Sequence, residues 1–429
     1  MRYGPIAPEL FIENRRRFRE LLPPQSLAIF NANDILPTNA DGTLPLRQNN
    51  DLFYLSGVDQ EESILVICPD AVLPKYREIL FLRETSEHIL VWEGYKLTKE
   101  QGREVSGIPT IMWLDQFETV LPALMNEAEY VYLNSNEHIR SVVEVETRDA
   151  RFIKDMQRRY PLHQYRRAAK LTHQLRAIKS PEEIRLLRRA CEITGNAFRR
   201  VLDFVKPGVW EYEIEAEILH EFVKSGSRGP AYTSIIGSGE SATILHYISN
   251  DRQCQDGDVL LLDFGAEYAN YNADLTRSIP VNGTFSPRQR QVYEAVLSVF
   301  KFAKTRLVVG NNIEDYHKEV GEKMSEELIK LDLLSTSDVK NQNPDAPLYK
   351  KYFPHGNSHY LGLDVHDVGF RYRTFEAGMV FTNEPGIYIR EEKLGIRLEN
   401  DFLLTANGVD DLMADIPLEL ADIERLMKK

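Results

Sequence analysis

Asp263 and Asp274 stand inside a stretch that otherwise reads as β-strand, VLLLDFGAEYANYNADLTRSIPV over residues 259–281. A carboxylate directly after Leu260, Leu261 and Leu262 must be paired or must bind a cation, because burying an isolated charge is costly. Gly265 opens the chain, Asn270 and Asn272 can turn it, and Leu275, Arg277 and Ile279 predict a returning strand. Paired as a hairpin, the two runs bring both carboxylates to one point. Spacing alone carries little weight in a chain with 65 acidic residues, so the remaining sequence must supply the partners of this pair.

Those partners lie further along. Residues 379–382 predict a strand leading to Glu384, Pro385 and Gly386 bend the chain before residues 387–389, and residues 395–398 predict a return that ends in Glu399. Between the two regions, PHGNSHYLGLDVHD gathers His355, His359 and His366, although the chain has only 10 histidines. Four carboxylates and an imidazole form a hard, oxygen-rich donor set, suited to manganese or cobalt and less distinctively to zinc. So much negative charge requires two ions, and two ions about 3.5 to 4 Å apart can share a hydroxide and polarise a carbonyl or phosphoryl oxygen. That is the equipment of a hydrolase.

The elements that must position these groups repeat. Ser180, Pro181 and Glu183 form a capping box that starts a helix running to about Val205, stopped by Pro207 and Gly208. A second helix follows from about Glu211, with Ile214, Ile218, Leu219 and Phe222 on one face and Gly226 as its stop. Ser286 and Pro287 start another long helix, Gly310 interrupts it, and Ile313 opens a further helix to about Leu333. Each helix pair is followed by strands carrying two acids, so the pattern is an internal pseudo-repeat of helix, helix and hairpin. The polar stretch 335–347 reads as an insertion loop.

Upstream, a helix over 9–22, strands at LAIF, ESILVIC, EILFLRE and EYVYLN, and a charged helix near 137–158 predict an α/β domain. Periodicity lapses over 160–169, which suits a linker, so the boundaries are 1–165 and 166–429. At 429 residues, two domains are the default. A net charge of -13 disfavours nucleic acid or an anionic membrane as partner. Cys68, Cys191 and Cys254 are widely spaced and odd in number, which argues against a disulfide framework. The start of the chain has no apolar leader and no run of about 18 apolar residues occurs, so a cytoplasmic location is expected.

The segments ILHYISND, LLLDFGAEYANYNADLTR, PHGNSHYLGLDVHDVG, NEPGIYI and GIRLEN closely resemble those of the pita-bread dinuclear metallopeptidases, in the branch of aminopeptidase P and prolidase. RQNNDLFYLSGV is similar to that branch's N-terminal domain, so the resemblance covers nearly the whole chain. It implies an α+β architecture, a C-terminal pita-bread domain with a pseudo-twofold helix-helix-hairpin repeat, preceded by a smaller creatinase-like α/β domain. It also implies metal ligands: Asp263 and Asp274 for one ion, Asp274 and Glu399 bridging to the second, and His359 with Glu384 completing the other site. Glu384 would accept the proton of the bridging water. His246 and His366 would position substrate and stabilise the oxyanion, with His355 close by, Arg397 orienting carboxylates and substrate, and Tyr388 bonded nearby. Asn400 stands where the family commonly has a second acid, and Phe264 replaces a smaller residue. The segments 369–378 and 390–394 look short beside bacterial aminopeptidase P relatives, which bears on substrate length.

The expected function is hydrolysis of the bond between an N-terminal residue and a following proline. Two divalent ions are expected, manganese first, cobalt or zinc as alternatives, in a homodimer or homotetramer that takes peptides with proline at the second position. The nearest alternative is prolidase, which cleaves Xaa-Pro dipeptides. An alternative of another class is a metal-free pita-bread module for protein binding.

Overall fold

The apolar runs of the N-terminal region become the strands Ser26–Asn31, Ile64–Ile67 and Glu78–Leu82, at the centre of a six-stranded mixed sheet. Strand Thr110–Trp113 flanks Glu78–Leu82 in parallel, and Tyr130–Leu133 flanks Ser26–Asn31 in parallel. Leu27, Ile29, Val66, Phe81 and Val131 pack with Phe117, Leu121 and Leu124 of the helix Phe117–Glu127. The computed structural model describes residues 2–428, which form the units Gly4–Arg176 and, with residues 2–3, 177–428.

Two local expectations change in this unit. The charged helix begins only at Arg148, where the Thr147 hydroxyl accepts from the Ala150 amide; the β-branched run before it resists helix and leaves Val142, Val143 and Val145 exposed. The stretch expected to be a linker holds the strand Gln164–Arg167, paired in parallel with Tyr130–Leu133. It is the sheet's edge, so its side chains are mostly exposed and leave no apolar alternation to read.

The second unit follows the repeat. Ser180 caps the helix Pro181–Phe204 with Glu183 reciprocating, and Ser286 caps Pro287–Arg306 with Gln289 in the same role. Each is followed, after a glycine with φ +95° at Gly208 and Gly310, by a shorter helix, Glu211–Lys224 and Ile313–Lys330. Only glycine adopts that left-handed backbone without strain, so both halves turn at the same conformation. The polar stretch 335–347 carries one short helix, Thr336–Lys340.

In the first half, Val259–Phe264 pairs antiparallel with Leu275–Pro280, placing Asp263 opposite Thr276, while Ile235–Ser238 flanks the other edge. In the second half the hairpin is interrupted. Val380–Asn383 pairs with Asn400–Thr405, and Gly386–Ile389 pairs with Leu394–Arg397. Glu384 and Glu399 therefore lie in the gap between two short ladders, not at the ends of one, because Pro385 has no amide to donate at the centre of a continuous hairpin. The Glu399 amide donates to the Thr276 carbonyl at 3.0 Å, which joins the two hairpins directly.

Candidate metal centre

Asp263 sits within its strand and Asp274 immediately before the returning one, so the pairing of the two strands sets their separation. The Tyr232 hydroxyl lies 2.5 Å from Oδ1 of both. His359 is brought in by the segment 357–361, which runs along the strand Val380–Asn383. The Thr382 amide donates to the His359 carbonyl at 3.0 Å and the Glu384 amide to the Asn357 carbonyl at 3.0 Å. His359 Nε2 then lies 3.4 Å from Asp274 Oδ2 and 3.7 Å from Glu384 Oε1. Its Nδ1 is 2.9 Å from the Tyr360 carbonyl, which orients the ring with Nε2 toward the carboxylates.

Asp274, His359 and Glu399 each offer a ligand atom, and those atoms all lie within 4.8 Å of one another. Glu399 Oε2 accepts from Thr276 Oγ1 at 2.7 Å, whereas Glu399 Oε1 is buried with no hydrogen-bond partner. A buried carboxylate oxygen without a donor, in a cluster of acids, fits the role of a cation ligand. Arg397 alone among the guanidinium groups of the described residues pairs with one of these four acids, through Nη2 to Asp263 Oδ2. Arg397 and His359 leave at least two negative charges uncompensated, so the donor set fits a pair of divalent ions.

The electrostatics agree. Burial pushes the Asp263 and Glu399 carboxyls up, and the neighbouring acids push Glu399 further. Burial raises Glu384 to about 7, against the pull of His359 and Arg397. For His359, burial opposes charge, but the hydrogen bond to Asp274 and the field of Glu384 outweigh it and raise the ring to about 9. These directions describe a site that seeks positive charge.

The remaining expected residues surround this cluster. His355 is half-buried, and desolvation with the Arg397 charge holds its ring down to about 3. Its Nε2 lies 2.8 Å from the Tyr388 hydroxyl, and Tyr388 in turn accepts from Arg397 Nη1 at 2.7 Å. Arg397 Nε donates to Thr276 Oγ1 at 3.1 Å, so one guanidinium links both hairpins. The His366 ring lies 4.2 Å from that of His359 at 33°. His246 differs from the others: it is exposed, on the loop after the turn Gly239–Thr243.

Tyr232, Thr276 and Asp401 were not read from the sequence as part of the site. Asp401 Oδ2 accepts from the Asp274 amide at 3.1 Å. Tyr232 lies in an aperiodic segment and carries no local signal, while Thr276 stands within the DLTR run already singled out and Asp401 directly follows GIRLEN. Asn400 proves to be a relay, its Oδ1 accepting from Arg277 at 2.7 Å and its Nδ2 donating to Asp411 at 2.8 Å.

Residues 185–406 match the model of metallopeptidase family M24, and residues 11–132 match the aminopeptidase P N-terminal domain. The chain belongs to the M24 metallopeptidases, and its fold is theirs, a pita-bread domain preceded by the aminopeptidase P N-terminal domain. It is 36% identical to a Xaa-Pro aminopeptidase of Haemophilus influenzae, over 98% of both chains. A Xaa-Pro aminopeptidase of Escherichia coli is 34% identical, again over 98% of both. A solved structure of zinc-substituted Escherichia coli aminopeptidase P in complex with product has a TM-score of 0.87 and 35% identity, covering 99% of each chain.

Proposed function

We propose that this chain is a metal-dependent aminopeptidase that hydrolyses the bond between an N-terminal residue and a following proline. The observation that carries the reading is the convergence of Asp263, Asp274, His359, Glu384 and Glu399 on one buried point with an orphaned Glu399 oxygen. The likeness to Xaa-Pro aminopeptidases over 98% of the chain supports the substrate. Asp263, Asp274, His359, Glu384 and Glu399 are the residues that would hold the two ions, Asp263 and Asp274 on the first hairpin and Glu384 and Glu399 on the second, with His359 between them. Two bound divalent ions supply Lewis acidity and a nucleophilic water at neutral pH.

The protein's own groups do the rest. Glu384 takes the proton of the attacking water and returns it to the proline nitrogen as the bond breaks. His366 and His246 position the substrate and stabilise the developing oxyanion. Arg397 fixes Asp263 and, through Tyr388, His355. Proline lacks an amide hydrogen and has a fixed φ, so sites that bind that hydrogen handle it poorly and a dedicated pocket is required.

Manganese is the ion of choice for so oxygen-rich a donor set, with cobalt or zinc as substitutes. Buried, unpaired Cys68, Cys191 and Cys254 support a reducing, cytoplasmic setting. Exposed Val91, Trp92 and Tyr95 support a homodimer or homotetramer.

The test compares Xaa-Pro-Yaa with Xaa-Pro turnover by manganese-loaded protein, with Glu384→Ala as control. Tripeptide cleavage that disappears in the variant is the expected result. Cleavage of the dipeptide alone identifies a prolidase, and near-zero metal after reconstitution identifies a binding module.

A further inference from the structure

Glu211 is fully buried at the first position of the helix Glu211–Lys224, and among the described residues no cationic side chain pairs with it. Its charge is met by four donors instead. Oε1 accepts from the Ser238 amide at 2.7 Å and the Ser238 hydroxyl at 2.7 Å. Oε2 accepts from the Tyr247 hydroxyl at 2.8 Å and the Arg252 amide at 2.9 Å. Those donors are not scattered. Ser238 ends the strand Ile235–Ser238, Arg252 lies where the loop returns to the helix pair, and Tyr247 stands between them, next to His246.

The loop so closed has a rigid base and an open tip. Its first turn, Gly239–Thr243, packs on the strand Leu394–Arg397 so closely that a Cβ on Gly395 would stand 2.0 Å from the Ala242 carbonyl oxygen. Asn250 anchors the far side, accepting from the Ile236 amide at 3.0 Å and donating to the Ser234 carbonyl at 3.0 Å. Ile244, His246 and Ile248 are exposed in between. Burial and the bond to Glu211 push the Tyr247 hydroxyl up to about 12, so it remains a donor throughout the working range, its hydrogen facing both Glu211 Oε2 and, at 3.0 Å, Asp251 Oδ1.

We propose that Glu211 is the positioning residue for His246: one buried carboxylate closes both ends of the loop 238–252 and, through Tyr247, holds the backbone on which the neighbouring His246 is carried. The proposal rests on the reading of His246 as a substrate-positioning group. It assigns a function to an acid that touches neither substrate nor metal ligands. The neutral isostere Glu211→Gln keeps the volume but turns two hydrogens toward donors, and Tyr247→Phe removes the central contact while leaving both ends closed.

The experiment is a double-mutant cycle on the manganese-loaded full chain, with amide hydrogen exchange in parallel. Glu211→Gln, Tyr247→Phe, His246→Ala and the pairwise combinations are compared for kcat/KM on a Xaa-Pro-Yaa tripeptide at equal metal content. Glu211→Gln is expected to lower kcat/KM by up to about 100-fold, Tyr247→Phe by less, and neither to add to the loss of His246→Ala. Exchange in Glu211→Gln is expected to quicken within 239–252 only. Losses that multiply with His246→Ala, a wild-type kcat/KM in Glu211→Gln, or unchanged exchange in the loop would each overturn the proposal. Wild-type protein that leaves the tripeptide intact refutes the peptidase reading instead, and the exchange result then decides on the staple alone.

Discussion

Lys179 Nζ lies 2.9 Å from Asp367 Oδ2, with both side chains only 1% exposed. The pair ties the residue before the Ser180 cap to the residue after His366. Gly362 leaves room for it, since a Cβ there would stand 2.2 Å from Asp367 Oδ2. Removing the ammonium from a pair this deeply buried is costly, so Lys179→Met is expected to cost about 3–5 kcal/mol. Urea unfolding checks this, and a loss under about 1 kcal/mol would show that the pair is no more than a surface-grade contact.

A hydroxyl has one hydrogen, yet that of Tyr232 faces two aspartate oxygens at 2.5 Å each. It can donate to only one of them, and a cation bound between the aspartates would take up the charge they share. Tyr232→Phe is therefore expected to weaken divalent-metal binding by about 10–100-fold, the usual effect of losing a group that orients a ligand. Competition with a chromophoric chelator measures it directly, and an unchanged affinity would remove Tyr232 from the site's support.

Gly265 faces the Ala273 carbonyl so closely that a Cβ would lie 1.7 Å from the oxygen. Backbone cannot yield there without moving Asp274 relative to Asp263. Gly265→Ala is expected to destabilise by about 3 kcal/mol and to abolish stoichiometric metal binding in whatever protein remains folded. Thermal unfolding with and without manganese reports both effects, and a metal-dependent gain equal to the wild type's would contradict the argument.

Asp149 gives a pH signature far from the metal centre in sequence. Burial raises its carboxyl to about 7, helped by the Asp51 and Asp34 charges and opposed by the hydrogen bond from Asn31. The unfolded chain ionises it near the ordinary value of 3.8. Between those values the folded state holds the extra proton, so this group's contribution is favourable below about 4 and is lost as pH rises to about 7. Asp149→Asn is expected to gain about 2–4 kcal/mol at pH 8 and nothing near pH 4. Equal gains at both values would mean the effect is not one of ionisation.

Much of this was legible because it depends on local rules. Ser180, Pro181 and Glu183 announce a helix by their side chains alone, and Gly208 and Gly310 mark the same turn in each half. The acids and histidines were found because their types are rare inside apolar or glycine-bounded runs. The partners of the second hairpin were less legible. The pairing of Val380–Asn383 with Asn400–Thr405 depends on a ladder skipping past Pro385, which no periodicity reports. Tyr232 was invisible for a related reason: its role comes from tertiary approach, with Asp263 31 and Asp274 42 residues away. An edge strand such as Gln164–Arg167 hides because half-solvated residues carry no apolar pattern.

The gap in the second hairpin makes the two sides of the centre mechanically unequal. Asp263 lies inside an uninterrupted ladder, while Glu384 and Glu399 stand between two short ladders joined across the break by one bond, from the Leu398 amide to the Pro385 carbonyl at 3.2 Å. Ions of different radius would then be accommodated by the glutamates, with the aspartate hairpin as the fixed side. Exchanging one metal for another should then shift the glutamate side by tenths of an ångström and leave the aspartate hairpin where it is.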